Sequence, residues 1–197
     1  MKKRLAQIIS FVFHPVIFSL IAPFIVIYKY SNNFFYGIEW MGFSALFLIL
    51  VLAIFYIVRP KEFFTDFDIT HKEKRHIFYS IALLVAVLYF IISLIFKGIF
   101  FPMSLISLGI ILGLVIFDIA TYYLKVSIHT AIVCAFTITA GILYGLIPFF
   151  IGLTILVAVG WSRVLLKRHT RKEVFAGIIL GAAVTFLTLF VSKFLQR

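Results

Sequence analysis

Apolar residues run through this chain in blocks of about 20, the length a helix needs to cross a bilayer, and short polar stretches divide them. Seven such segments are predicted, 7–28, 40–58, 77–96, 99–122, 129–147, 149–162 and 174–194, the sixth shorter than the rest. In lipid each backbone N–H and C=O must bond within its own segment or barrel, and runs of this length satisfy them as helices. The expected fold class is therefore all-α, a polytopic transmembrane bundle of six to seven spans forming one integral-membrane domain over 1–197. The run after Met1-Lys2-Lys3-Arg4 continues to Tyr28 with no small-residue cleavage site. It is expected to stay as the first span rather than leave as a signal peptide.

Composition removes the soluble alternative. The chain is 64% hydrophobic and 13% charged, with a mean hydropathy of +1.19, far from a soluble globular domain. The single cysteine, Cys134, lies inside an apolar run, so no intrachain disulfide forms and the thiol is expected as a small buried hydrophobe. Seven crossings place the N-terminus and the polar stretches 59–76, 121–128 and 163–173 on one side. Of the 18 Lys and Arg, only Lys29, Lys97, Lys193 and Arg197 fall opposite. The positive-inside rule makes the basic face cytoplasmic; because cations recruited for phosphate count either way, the Lys2-Lys3-Arg4 cluster carries that inference. The compact chain leans toward a prokaryotic cytoplasmic membrane.

Charge this scarce needs a reason. The acids are Glu39, Glu62, Asp66, Asp68, Glu73, Asp118 and Glu173. Glu173 follows His169 by four residues, so on a helix the two share a face. A carboxylate that accepts a proton from one ring nitrogen fixes the tautomer and leaves the other free for attack. The plain alternative is a basic juxtamembrane helix whose Arg163, Lys167, Arg168, Arg171 and Lys172 rest on anionic headgroups. Ser127-Ile128-His129, at the start of the fifth span and after Lys125, decides between them. A histidine there can protonate a leaving oxygen while hydroxyl and ammonium hold phosphate oxygens. Asp118 is expected to pair with a cation near the same face, His71 and His76 to be interfacial, and His14, before Pro15, to mark a kink. In the loop 59–76, Lys72 and Arg75 share a helical face. The Asp66-x-Asp68 pair suits a salt-bridge network better than Mg²⁺.

These residues resemble the type 2 phosphatidic acid phosphatase superfamily, integral-membrane enzymes with the motifs Lys-x6-Arg-Pro, Pro-Ser-Gly-His and Ser-Arg-x5-His-x3-Asp. Ser162, Arg163 and His169 match the third motif in spacing, with Glu173 in place of Asp. Val126-Ser127-Ile128-His129 keeps the Ser and His of the second without its Pro and Gly. Arg59-Pro60 reproduces the end of the first, but Leu52 stands where its Lys should, so Lys72 and Arg75 are the substitutes. The resemblance implies a metal-independent lipid phosphatase without cofactor, acting on a lipid phosphate within the surrounding membrane lipids and not on nucleic acid. It implies that His169 attacks phosphorus, Glu173 orients it, and His129 protonates the leaving group. Arg163, Ser162, Ser127, Lys72 and Arg75 would bind the phosphoryl oxygens. An inactive anionic-lipid binder and an Mg²⁺-dependent prenyltransferase built on Asp66 and Asp68 are the alternatives.

Overall fold

The computed structural model describes residues 1–58, 72–99 and 101–195, without the side chains of 72–74 and 195. Eight helices run through them: α1 (Lys2–Val12), α2 (Pro15–Ser31), α3 (Phe34–Val58), α4 (Lys72–Lys97), α5 (Pro102–Tyr123), α6 (Ile128–Tyr144), α7 (Leu146–Leu165) and α8 (Arg171–Leu195). Phe34–Val58, Arg75–Lys97, Pro102–Tyr123, Leu146–Leu165 and Arg171–Phe194 are long and apolar enough to cross a membrane. Helices α1 and α2 reach that length and hydropathy only as a pair, bent by 41° at the break. The apolar α6 is the short one, with 17 residues, or about 25 Å against a hydrocarbon core of about 30 Å. The all-helical polytopic bundle is as expected. Its short member is the fifth predicted segment and not the sixth, because α7 runs through Ser162 and Arg163 with both side chains buried.

Local chemistry explains the breaks. Pro15 has no N–H to give a preceding turn and sits at the first position of α2, with His14 as its N-cap. The chain leaves α2 through Asn32 in the left-handed region, φ 52°, which Asn tolerates better than most side chains. Asn33 then caps α3 by accepting the Tyr36 N–H at 3.1 Å. Gly145, at φ 93°, turns α6 directly into α7.

Packing then brings the ends together. Helices α6 and α7 form an antiparallel pair, α8 lies against α6 and α5, and α1 lies against α7. One apolar cluster holds Phe18, Val133, Cys134, Leu156 and Val159; another holds Val26, Ile27, Trp40, Tyr89, Phe101 and Met103. Cys134 is buried in the first, as expected. With no water to drive helix association in lipid, close backbone approach and interhelical hydrogen bonds matter more. Ser93 and Ser104 bond at 2.7 Å across α4 and α5, and Ser44 and Tyr89 at 3.0 Å across α3 and α4.

The approach of α8 to α6 is the tightest such contact at the functional end. A Cβ at Gly177 would run into the Ser127 carbonyl oxygen, and one at Gly181 into that of Ala131. The Gly177/Gly181 spacing therefore fixes how near α8 lies to the turn that carries His129. Gly177→Ala is expected to lower stability by about 2 kcal/mol through overpacking, read by thermal unfolding in detergent. Gly42→Ala, where nothing lies within 4 Å of the new methyl, is expected to cause no loss.

Candidate active site

The C-terminal end of α7 is folded back on itself. Lys167 adopts φ 57°, its N–H bonds the Val164 carbonyl at 3.0 Å, and the Arg168 N–H bonds the Arg163 carbonyl at 3.0 Å. This is the Schellman arrangement, with a lysine where glycine is usual, at a cost of about 1–2 kcal/mol. The His169 N–H also reaches the Arg163 carbonyl, at 3.2 Å. Five residues between Arg163 and His169 are what this turn consumes, so the Ser-Arg-x5-His spacing has a backbone cause.

A second local motif begins at once. The Thr170 hydroxyl accepts the Glu173 N–H at 3.3 Å, and Glu173 Oε2 accepts the Thr170 N–H at 3.0 Å. That reciprocal pair is a capping box, and it starts α8. The same Oε2 lies 3.1 Å from His169 Nδ1. Glu at position 173 thus does two things at once, and its length matters because capping-box carboxylates must reach back a full turn.

His169 Nδ1 also lies 3.2 Å from the Lys125 carbonyl oxygen. Both neighbours only accept, so Nδ1 carries the proton and the lone pair of a neutral ring sits on Nε2. Burial, then the charges of Arg163, Arg75 and Lys125, hold the His169 pKa down to about 3, against the backbone hydrogen bond to Lys125. The side chain is 2% exposed. His169 is accordingly a neutral, oriented imidazole at pH 7.

Four chain segments meet around it. The Ser127 N–H bonds the Glu173 carbonyl at 3.2 Å, and Lys125 Nζ donates to the Arg168 carbonyl at 3.2 Å. Arg75, buried at the start of α4, donates to the Val126 carbonyl at 2.8 Å. Arg163, buried near the end of α7, donates to Ser10 Oγ at 2.8 Å. His129 is buried on the first turn of α6, within electrostatic reach of Arg163, His14, His169 and Arg75. The polar stretches around 125 and 168 therefore meet at one end of the bundle, together with Arg75.

The two serines differ. The Ser162 hydroxyl donates to the Val159 carbonyl at 2.8 Å, so its proton is committed to its own helix. Ser127 Oγ is fully buried with no hydrogen-bond partner among the described residues. A buried hydroxyl left so is costly, which leaves Ser127 a donor in want of an acceptor. Lys72 begins α4 with its side chain outside the described residues, as are Arg59, Pro60, Asp66, Asp68 and His71. Asp118 pairs with His76 at 2.5 Å, and the His76 ring lies on Tyr122 at 4.3 Å. Among the described residues no group of three or more His, Cys, Asp or Glu is placed to hold a metal ion.

Residues 119–197 match the model of the PAP2 superfamily. The matched stretch is under half of the chain, and the resemblance to the type 2 phosphatidic acid phosphatases holds over it. It contains Ser127, His129, Ser162, Arg163, His169 and Glu173, and leaves outside it Arg75, Ser10 and His14. No curated protein and no solved structure matches the chain.

Sequence reasoning missed the parts supplied by α1, α2 and the capping box. The Thr170-x-x-Glu173 signature was available for the last of these; nothing in the spacing announces that Ser10 meets Arg163.

The depressed His169 pKa has a sign in stability. Below pH 6.5 the unfolded chain takes up a proton at this imidazole that the folded protein refuses until about pH 3. Stability is therefore fully present above pH 6.5 and is lost as pH falls, by up to about 1.4 kcal/mol per pH unit. From pH 7 to pH 5 the protein is expected to lose about 2 kcal/mol more than His169→Gln, measured by chemical unfolding in detergent. Parallel losses in the two proteins would contradict the buried neutral imidazole.

Proposed function

We propose that the protein is an integral-membrane phosphatase that removes phosphate from a lipid phosphomonoester or diphosphate through a phosphohistidine. The observation that carries this reading is the His169 tautomer: Nδ1–H held by Glu173 and Lys125, Nε2 bearing the lone pair, among buried cations. The resemblance over 119–197 supports the same class of chemistry.

His169 Nε2 attacks phosphorus, and the bond from phosphorus to the leaving oxygen breaks. His129, which takes up a proton as the anionic phosphate binds, gives that proton to the leaving oxygen and is left neutral. The imidazole becomes positively charged as the N–P bond forms, and the Glu173 carboxylate on Nδ1–H stabilises that charge while keeping the ring aimed. Glu173 is thus a positioning residue. Water then attacks phosphorus, His129 takes its proton, and the N–P bond breaks to release inorganic phosphate and restore neutral His169. Phosphoryl transfer depends mostly on positioning and on charge around the equatorial oxygens. Arg163, Arg75, Lys125 and the Ser127 hydroxyl supply that charge and a donor, and Lys72, whose backbone begins α4, is assigned as a further cation. The headgroup phosphate enters at the bundle end, and the lipid tail stays among the helices.

The purified protein is expected to release phosphate, in the presence of EDTA, from at least one of phosphatidic acid, phosphatidylglycerophosphate and undecaprenyl diphosphate. His169→Ala is expected to lower kcat at least about 10³-fold. No turnover of any of the three, with the variant indistinguishable, would leave an anionic-lipid binder. Turnover abolished by EDTA would point to the Mg²⁺-dependent prenyltransferase chemistry.

A further inference from the structure

The broken first span lies outside the stretch that resembles the phosphatases, yet it touches the site twice. His14 is the N-cap of α2, a position that usually goes to Ser, Thr, Asp or Asn. Its Nδ1 accepts the Val16 N–H at 3.3 Å, so a neutral His14 carries its proton on Nε2. The His14 ring meets the His129 ring at 4.9 Å between centroids and 89° between planes. That is the edge-to-face arrangement rings prefer. Ser10, four residues earlier, accepts from Arg163 at 2.8 Å. The break at Phe13-His14-Pro15 is what sets one ring against another at this depth while α1 remains packed on α7.

We infer that the broken first span belongs to the active site, with His14 a positioning residue that fixes the imidazole of His129 and Ser10 one that fixes the Arg163 guanidinium. The inference rests on the phosphatase reading of the same site. It goes beyond that reading in assigning the orientation of the proton donor to a helix break that the resemblance does not cover. A general acid works only when its proton lies within hydrogen-bond reach of the leaving oxygen. The last torsion of a histidine has broad wells, and a ring packed edge-to-face against it narrows them. His14 supplies such a ring, and its own ring is held by the cap bond to Val16.

The test is His14→Asn, which keeps a side chain able to cap α2 and removes the ring. Its kcat on the lipid that the unaltered protein hydrolyses is expected to fall ten- to a hundredfold with KM within about twofold, and its thermal stability in detergent to be nearly unchanged. Independently of turnover, the ¹⁵N shifts of the His129 imidazole, assigned with His129→Ala, are expected to pass from one tautomer to a mixture. Should the variant not fold, His14→Gln, longer and still able to accept the Val16 N–H, is read in the same way. A kcat within twofold of the unaltered protein, or His129 shifts that do not change, overturns the inference. If the unaltered protein hydrolyses none of the lipids, the phosphatase reading fails and the ¹⁵N shifts alone decide the role of His14.

Discussion

One carboxylate oxygen, Glu173 Oε2, joins the start of a membrane helix to the imidazole at the centre of the site. It accepts from the Thr170 N–H and lies within hydrogen-bond distance of His169 Nδ1. The first contact satisfies an N–H that a helix start leaves orphaned; the second decides which nitrogen of the ring keeps its lone pair. Helix geometry and chemistry are thereby coupled, because α8 cannot start elsewhere without releasing His169. The α8 glycines bring that helix against the backbone of the turn carrying Ser127 and His129, so the two histidines are registered by backbone contact and not by long side chains.

Charge is concentrated around this junction in a way that a lipid-embedded protein does not tolerate without purpose. Arg75 and Arg163 are both buried, and their guanidiniums reach the Val126 carbonyl and the Ser10 hydroxyl. Burial first, and then their positive field, keep His169 unprotonated. An anion arriving near them would be attracted by the same charges that help hold this imidazole neutral. Ser127, buried and without an acceptor among the described residues, adds a donor to the same space.

Much of this is legible in the sequence, for reasons that differ by feature. The spans are readable because lipid leaves the backbone no option but regular hydrogen bonding in long apolar runs. Ser162, Arg163, His169 and Glu173 are readable because a Schellman turn and a capping box fix the number of residues between them. The end of α7 was misjudged because Arg163 looks like a boundary charge, whereas its side chain is buried and the helix continues to Leu165. The length of α6 was overestimated because apolar residues continue past Gly145, the residue whose φ of 93° ends the helix. Asp118 finds its partner in His76. The contributions of Ser10 and His14 depend on α1 lying against α7, a tertiary fact that no local pattern contains.

The central claim is that Glu173 and the Lys125 carbonyl hold His169 as a neutral imidazole protonated on Nδ1. ¹⁵N NMR of histidine-labelled protein in detergent at pH 7, with His169 assigned by its loss in His169→Gln, tests this directly. The expected spectrum has a protonated Nδ1 and an unprotonated Nε2 for His169, and in Glu173→Gln a loss of that strict preference. An imidazolium, or a ring protonated on Nε2 in the unaltered protein, would contradict the account.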